Sequence, residues 1–272
     1  MKLRGQRIAL FESRLAEEIS ELVRRSGGVP VCVPAVREQR RPAAKEVAAL
    51  LDELEAERSP VFVFSTGVGA ASLFDEARAL GRGVELRDAI YRGLAACRGP
   101  KPVAALHKED CATQVKARSP YTTEEFIEAF AQIEVRGRLT VLVHYGEQNQ
   151  PLADALVAGG ARLRELTLYR WELPEDIAPL ISVIEELERG AFAAAAFTTQ
   201  IQARNLMAVA EGMGRKDALL AVLRSRVLVA AVGPTCARAL AALGVQPSVV
   251  PETPKMGAMI GALVARLTEG GG

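Results

Sequence analysis

Hydroxyl-bearing residues and glycines cluster in six short segments, most of which follow an apolar run. Such residues cap helices and expose backbone N–H groups at the positive end of the helix dipole, where an anionic group binds well. Ordinary helix capping explains each segment on its own. The prediction of an anion site therefore depends on their recurrence along the chain, at residues 11–14, 65–69, 97–101, 144–146, 198–200 and 233–236.

Metal, triad and dinucleotide chemistry are poorly supported by the sequence. The two histidines are His107 and His144, and His107 with Cys111 has no further ligand nearby to complete a zinc site. No GxSxG segment precedes a possible catalytic histidine. The segment Gly67-Val-Gly69-Ala-Ala-Ser72 begins like a dinucleotide fingerprint, but it lacks the third glycine and follows the third predicted strand. We expect no metal site.

Composition is typical of a folded chain with a balanced charge. At about 150 residues per domain, 272 residues suggest two domains, and 49% hydrophobic with 25% charged residues argues against disorder. Thirty-four Lys and Arg against 33 Asp and Glu disfavour a nucleic-acid partner. The four cysteines form no CxxC pair, so we expect buried, reduced thiols. Without a signal peptide or a long apolar run, we expect a cytoplasmic protein with no membrane partner.

The chain repeats itself after 132 to 134 residues. The apolar run after Gly5 corresponds to the run after Gly137, and residues 61–66 correspond to 194–199. Gly99-Pro100 corresponds in the same way to Gly233-Pro234. Gly27-Gly28 corresponds to Gly159-Gly160, and Pro120 corresponds to Pro254. These five matches in the same order indicate an internal duplication.

Short apolar runs alternate with amphipathic stretches in both halves. This alternation is typical of parallel sheets covered by helices on both faces, so we predict an α/β fold of two doubly wound parallel-sheet domains with a cleft between them. Strands are predicted at 7–12, 30–36, 61–65, 93–97, 139–144, 163–169, 192–197 and 227–232. The clearest helices are predicted at 46–57, 70–80, 152–158, 177–189 and 201–211.

Several loose motifs follow one another over essentially the whole chain, and the segment at 231–240 is the most specific. They are Ser13-Arg14, Phe64-Ser-Thr-Gly-Val-Gly69, Leu168-Tyr-Arg170, Phe197-Thr-Thr199, Ala231-Val-Gly-Pro-Thr-Cys-Ala-Arg-Ala-Leu240, Gly244-Val-Gln-Pro247 and Val250-Pro251. In their order these motifs resemble those of the uroporphyrinogen-III synthase family.

The resemblance implies a domain division that differs from the repeat. The repeat alone suggests a boundary near residue 136. The family instead implies a discontinuous first domain, 1–36 plus 170–272, and an inserted second domain, 40–167. Two crossing strands, at 33–38 and 166–172, would join them, and a hinge motion is expected.

The resemblance also implies an activity. The family's substrate is hydroxymethylbilane, a small-molecule polycarboxylate tetrapyrrole, which is closed with inversion of the last pyrrole, ring D, and loss of water to uroporphyrinogen III. The implied enzyme is a lyase of porphyrin and heme biosynthesis that needs no cofactor, and we expect a monomer. Tyr169 is the implied proton donor, although a half-buried structural tyrosine is the alternative.

The recurring loops and the resemblance together yield the predicted substrate-binding residues. Thr235 either contacts substrate or caps the following helix, and Cys236 stands where many relatives carry a second Thr. Arg14, Arg98, Lys101 and Arg170 are candidates for binding carboxylates, whereas Arg37, Arg40 and Arg41 are predicted to be solvated charges. The predicted substrate-binding residues are Ser13, Arg14, Ser65, Thr66, Gly67, Val68, Arg98, Lys101, Tyr145, Gly146, Thr198, Thr199, Gly233, Pro234 and Thr235.

Two further hypotheses belong to other functional classes. A catalytically weak homologue would bind a tetrapyrrole as a regulatory module without turnover. A two-domain α/β protein would bind some other small polyanion, a hypothesis that depends on the fold alone.

Overall fold

The structure is a computed structural model and describes residues 3–131 and 133–269. The chain forms two compact units, the first from Met1–Arg37 with Glu172–Gly272 and the second from Glu38–Trp171.

The chain begins with β1 (Arg7–Leu10), α1 (Ala16–Arg25), β2 (Val29–Cys32) and β3 (Arg37–Arg40). It continues with α2 (Ala44–Glu55), β4 (Val61–Phe64), α3 (Gly67–Ala79), α4 (Gly83–Arg92), β5 (Leu94–Cys97), α5 (Pro100–Lys108), β6 (Val115–Lys116), α6 (Thr123–Phe130), β7 (Leu139–Val143), α7 (Gln150–Ala158) and β8 (Arg162–Leu166). It ends with β9 (Tyr169–Glu172), α8 (Ala178–Glu188), β10 (Ala194–Phe197), α9 (Gln200–Gly212), α10 (Lys216–Ser225), β11 (Leu228–Ala231), α11 (Pro234–Ala242) and α12 (Met256–Glu269).

The first unit is a parallel sheet in the order β11-β10-β1-β2. Successive residues of β1 face opposite sides: Ile8 packs in the layer of α1 and α12, and Ala9 packs in the layer of α8, α9 and α10. The rings of Phe11 and Phe197, just beyond β1 and at the end of β10, stack with centroids 4.8 Å apart. Apolar residues on both faces of the strands are required because helices cover both faces.

The second unit is a parallel sheet in the order β6-β5-β4-β7-β8. All four residues of the central strand β4 are buried. Phe62 and Phe64 pack against α2 and α3, while Val61 and Val63 pack with Phe126 on the other face. The predicted α/β fold with two parallel sheets is confirmed.

Each sheet has a point where neighbouring strands continue in opposite directions. In the first unit, β1 leads to β2 on one side and β10 leads to β11 on the other. In the second unit, β4 leads to β5 and β7 leads to β8 in the same manner. The loops that follow such strands form the crevice in which open α/β sheets bind ligands. These switch points, β1/β10 and β4/β7, therefore direct attention to the loops after Leu10, Phe197, Phe64 and Val143.

Two predicted strands have different bounds in the structure. The strand predicted at 30–36 stops at Cys32, although the Val33 N–H still donates to the Leu10 carbonyl at 2.8 Å. The chain then forms β3, which pairs with β9 in a separate two-stranded sheet. The strand predicted at 163–169 is divided between β8 and β9. The short strand β6 carries no sequence signal and was not predicted.

The arginines at the first crossing are partly exposed, as expected of solvated charges, and they are also paired with carboxylates. Arg37 contacts Glu172 at 3.0 Å and also Glu175. Arg40 contacts Asp75 at 2.7 Å, and Arg41 contacts Glu46 at 2.8 Å. Most of these carboxylates are distant from the arginines in sequence, so no local pattern indicated the ion pairs. Partly exposed pairs of this kind contribute about 0–1 kcal/mol each.

Among the described helices, none has the length and apolar character needed to cross a membrane.

Candidate functional site

Thr66 stands at the switch point of the second unit and begins α3. Its backbone is extended, with φ −145° and ψ 157°, and its Oγ1 accepts the backbone N–H of Gly69 at 3.1 Å. Ser65 immediately before it is buried, and its Oγ has no hydrogen-bond partner in the described part of the chain. The residue pair Ser65 and Thr66 thus places one uncompensated hydroxyl and one capping hydroxyl at the end of β4.

The Tyr169 phenol reaches the same point from β9. Its oxygen lies 2.9 Å from Thr66 Oγ1, and the side chain is completely buried. The alternative that the sequence left open, a half-buried structural tyrosine, is therefore wrong, because Tyr169 is completely buried. The Trp171 ring stands edge-on to the Tyr169 ring at 5.2 Å, and its Nε1 donates to the carbonyl of Tyr145 at 2.6 Å. These contacts fix the phenol against the hydroxyl of Thr66.

Gly146 is required by this packing. Its φ of +89° lies in the left-handed region, and a Cβ there would lie 2.6 Å from the Trp171 indole and 3.0 Å from the Tyr169 ring. The predicted residues Tyr145 and Gly146 therefore lie against Tyr169.

Arg98 supplies positive charge near the two phenols. Its guanidinium lies 5.2 Å from the centre of the Tyr145 ring. Burial lowers the pKa of the Arg98 guanidinium, while its electrostatic interactions with Tyr145 and Tyr169 oppose that shift. Within residues 3–131 and 133–269, no carboxylate forms an ion pair with Arg98. A desolvated cation without a protein counter-charge is suited to an anionic ligand.

The glycines that suggested a dinucleotide fingerprint have a packing role. A Cβ on Gly67 would lie 2.8 Å from the carbonyl oxygen of Lys101, and one on Gly69 would lie 2.9 Å from the Val143 side chain. The N-terminal turns of α3 and α5 therefore approach each other closely. Val68 and Lys101, both predicted binding residues, lie on these turns, and Lys101 is exposed.

His144 was not among the predicted site residues, although it directly follows the buried strand β7. It is completely buried, and its Nδ1 accepts the backbone N–H of Asn149 at 3.1 Å. Its Nε2 therefore carries the proton and donates to Glu165 Oε2 at 3.0 Å. Asn149 in turn begins α7, accepting the Leu152 N–H at 3.4 Å. The two ends of the loop that carries Tyr145 and Gly146 are thus tied together.

The switch point of the first unit is organised around Glu12, which sequence reasoning missed. The Thr198 hydroxyl donates to Glu12 Oε2. Gln202 Nε2 donates to Thr198 Oγ1 at 2.9 Å and to Glu12 Oε2 at 3.3 Å. Thr199 begins α9, and its Oγ1 accepts the Gln202 backbone N–H at 3.4 Å. Both predicted threonines therefore lie at this switch point, but the hydroxyl proton of Thr198 is already donated to the Glu12 carboxylate.

The remaining predicted residues of the first unit lie on two other loops. Ser13 and Arg14 are exposed ahead of α1, and the Ser13 N–H donates to Glu12 Oε1 at 3.2 Å. Gly233 begins α11 and is followed by Pro234 in its first turn. Thr235 is exposed on that turn, so the alternative in which Thr235 itself begins the helix is wrong.

Cys236 is a buried thiol. Its Sγ donates to the Phe197 carbonyl at 3.6 Å, and burial raises its pKa to about 12. No hydroxyl-like ligand contact is available from this side chain. In the part of the chain that the structure describes, no three His, Cys, Asp or Glu side chains are grouped to hold a metal ion.

Comparison with known proteins assigns this arrangement to a family. The model of a family described as uroporphyrinogen-III synthase HemD matches residues 17–261. The chain belongs to the uroporphyrinogen-III synthase family. The sequence resemblance is confirmed.

Individual relatives of the family span nearly the whole chain. The uncharacterized protein YjjA of Bacillus subtilis (strain 168) is 32% identical over 258 residues, covering 95% of this chain and 94% of that protein. A putative uroporphyrinogen-III synthase of Methanothermobacter thermautotrophicus is 29% identical over 259 residues, covering 94% of this chain and 96% of that protein.

Solved structures match the fold as well. A mutant uroporphyrinogen III synthase from the extremely thermophilic bacterium Thermus thermophilus has a TM-score of 0.75 and 28% identity, covering 98% of this chain and 100% of that chain. The uroporphyrinogen-III synthetase of Helicobacter pylori has a TM-score of 0.55, with 96% and 99% coverage. At 13% identity it supports the fold alone.

Proposed function

We propose that this member of the family is an active uroporphyrinogen-III synthase. It would cyclise hydroxymethylbilane with inversion of ring D and loss of water to give uroporphyrinogen III. The observation that carries the proposal is the hydrogen bond between the Tyr169 phenol and the Thr66 hydroxyl at a sheet switch point, within electrostatic reach of Arg98. A proton donor and a cation that forms no ion pair among the described residues, both at one ligand crevice, suit a polycarboxylate substrate with a leaving hydroxyl.

The proposed mechanism depends first on positioning. Because the free substrate closes spontaneously to the wrong isomer, the enzyme must hold the chain so that attack occurs at the substituted carbon, through a spiro intermediate. Tyr169 supplies the proton with which the hydroxyl leaves as water. Arg98 pairs with a substrate carboxylate, since a guanidinium and a carboxylate fit in two-point fashion.

The proposal extends to the other predicted residues and to the domains. Except for Thr198, whose hydroxyl donates to Glu12, the threonines and glycines at the helix starts would present N–H groups and hydroxyls to the remaining carboxylates. We also propose that residues 1–36 plus 170–272 and residues 40–167 fold as domains. Expression of 40–167 alone as a protein with cooperative unfolding would support that division, and an unfolded product would count against it.

The isomer of the product tests the proposed activity. Purified protein is incubated with hydroxymethylbilane, and the products are oxidised to porphyrins and separated by chromatography, beside an incubation without protein. The type III isomer is expected with protein and type I without it. Type I alone, despite saturable binding of substrate, would favour the regulatory tetrapyrrole-binding homologue instead.

Tyr169→Phe tests the assigned proton donor. The variant keeps the ring that packs on Trp171 and loses the hydroxyl bonded to Thr66. We expect kcat to fall about 10²-fold or more, with residual type III product because positioning remains. Unchanged turnover in a folded variant would remove Tyr169 from the mechanism.

A further inference from the structure

The proton donor and the ligand crevice are separated by one hydroxyl. Tyr169 has no exposed surface, whereas Thr66, whose Oγ1 lies 2.9 Å from the phenol oxygen, is partly exposed at the start of α3. A ligand in the crevice at the ends of β4 and β7 therefore meets Thr66 before it meets Tyr169.

Hydrogen-bond accounting determines what Thr66 offers to that ligand. A hydroxyl group has one donor and two acceptor positions. One acceptor position takes the Gly69 N–H at 3.1 Å, and the second is available to the Tyr169 phenol. When Tyr169 donates, both acceptor positions of Thr66 are occupied, and its own proton is left to donate to the ligand.

We propose that Thr66 is a catalytic residue that relays the proton from Tyr169 to the leaving hydroxyl of the substrate. This inference rests on the proposed function and assigns to Tyr169 the role of proton source rather than direct contact. Thr66 is well suited to the relay because the Gly69 N–H holds its oxygen in place and does not use its proton, which stays available to the ligand.

The proton and electron balance of the relay closes. The C–O bond of the substrate breaks with its electron pair on oxygen, which takes the Thr66 proton and leaves as water. Thr66 oxygen takes the phenolic proton of Tyr169, and the resulting phenolate lies within electrostatic reach of Arg98. Ring closure releases a proton from a pyrrole carbon, which returns through Thr66 to the phenolate. The net change is loss of one water from the substrate.

Three substitutions at Thr66 separate the relay from helix capping. Thr66→Val removes the hydroxyl at similar volume, Thr66→Asn keeps a capping oxygen without a transferable proton, and Thr66→Ser keeps both functions. We expect Val and Asn to lower kcat about 10²-fold or more, and Ser to keep wild-type kcat within about threefold. Thr122→Val is the matched control, because Thr122 begins α6 in the same unit and its hydroxyl is bonded to Glu124 and Glu125 rather than to Tyr169. It should lower the melting temperature as Thr66→Val does and leave kcat unchanged.

A double-mutant cycle and a proton inventory complete the test. Thr66→Asn combined with Tyr169→Phe should be no slower than the slower single variant, because both interrupt one path. Single-turnover rates in mixtures of H₂O and D₂O should fall along a curve, as two protons move together. Multiplicative losses in the cycle, or a linear inventory, would overturn the relay.

Failure of the relay is distinguishable from failure of the proposed function. Type III product from Thr66→Asn at the wild-type rate would refute the relay alone. Type I product alone from the wild-type protein would refute the proposed function, and the relay with it.

Discussion

Replacing Gly146 by alanine should disturb the Tyr169 site although it adds only one methyl group. The new Cβ would lie 2.6 Å from two atoms of the Trp171 indole and 3.0 Å from the Tyr169 ring. Neither ring has a flexible end that turns aside, because Trp171 is held by its bond to the Tyr145 carbonyl. The loop or the rings must therefore move.

The expected loss in the free energy of unfolding combines two contributions of similar size. A left-handed conformation, here with φ +89°, costs a non-glycine residue about 1–2 kcal/mol. Inserting a methyl group into a well-packed site costs about 1–3 kcal/mol more. Gly81→Ala isolates the first cost, because Gly81 lies in the same unit with φ +73° and a Cβ there would have no atom within 4 Å. Gly146→Ala should therefore reduce the free energy of unfolding by about 1–3 kcal/mol more than Gly81→Ala does.

The assay follows from the composition. Trp171 is the only tryptophan in the sequence, so its fluorescence during urea unfolding reports on the very ring that the new methyl group would meet. Native Gly146→Ala should also show a shifted emission maximum, whereas Gly81→Ala should match the wild-type spectrum. Equal unfolding midpoints and native spectra for the two variants would refute the packing argument.

Two further predictions concern charge and protonation. Arg98→Met should raise KM about 10-fold or more, because the substrate carboxylate loses its guanidinium partner. It should not lower the free energy of unfolding, because no described carboxylate forms an ion pair with Arg98. Steady-state kinetics and urea unfolding measure the two effects. Burial raises the pKa of Cys236 to about 12, so its contribution to stability is complete below about pH 9 and declines between pH 9 and 12. The stability difference between wild type and Cys236→Ala should shrink by about 1.4 kcal/mol per pH unit over that range, and a constant difference would contradict the assignment.

Much of the fold was predictable because buried parallel strands leave a strong sequence signal. β4 and β10 appear as uninterrupted apolar runs, and both are buried throughout. β3, with the sequence Arg-Glu-Gln-Arg, lacks that signal because it pairs outside both main sheets, and its residues are intermediate or exposed. Periodicity therefore identified the central strands of the two sheets and missed β3 and the two-residue strand β6, which carry no such signal.

The candidate site was predictable in its loops but not in its pairings. Thr66 and Tyr169 are 103 positions apart, so no spacing indicated their hydrogen bond, and Tyr169 was singled out only by resemblance. Glu12 reaches Gln202 across 190 positions because β1 and β10 are neighbours in one sheet. Such partners follow from strand order, which the alternation of helices and strands does not specify.

One duplication produced two crevices with the same strand order and different side chains, because β10 and β1 are neighbours in the first sheet as β4 and β7 are in the second. The repeat equates Thr66 with Thr199, and both begin a helix with nearly the same backbone, φ −145° and ψ 157° against φ −143° and ψ 154°. Each switch point joins one strand from either half in the same arrangement, so the two crevices differ only in the side chains opposite the two threonines. Thr66 Oγ1 contacts the Tyr169 phenol, whereas Thr199 Oγ1 accepts the backbone N–H of Gln202, whose side chain binds Glu12. The cap was retained because the helix needs it, and the side chain opposite was free to diverge. On this reasoning the acid–base chemistry that we propose belongs to the Thr66 copy of the loop alone.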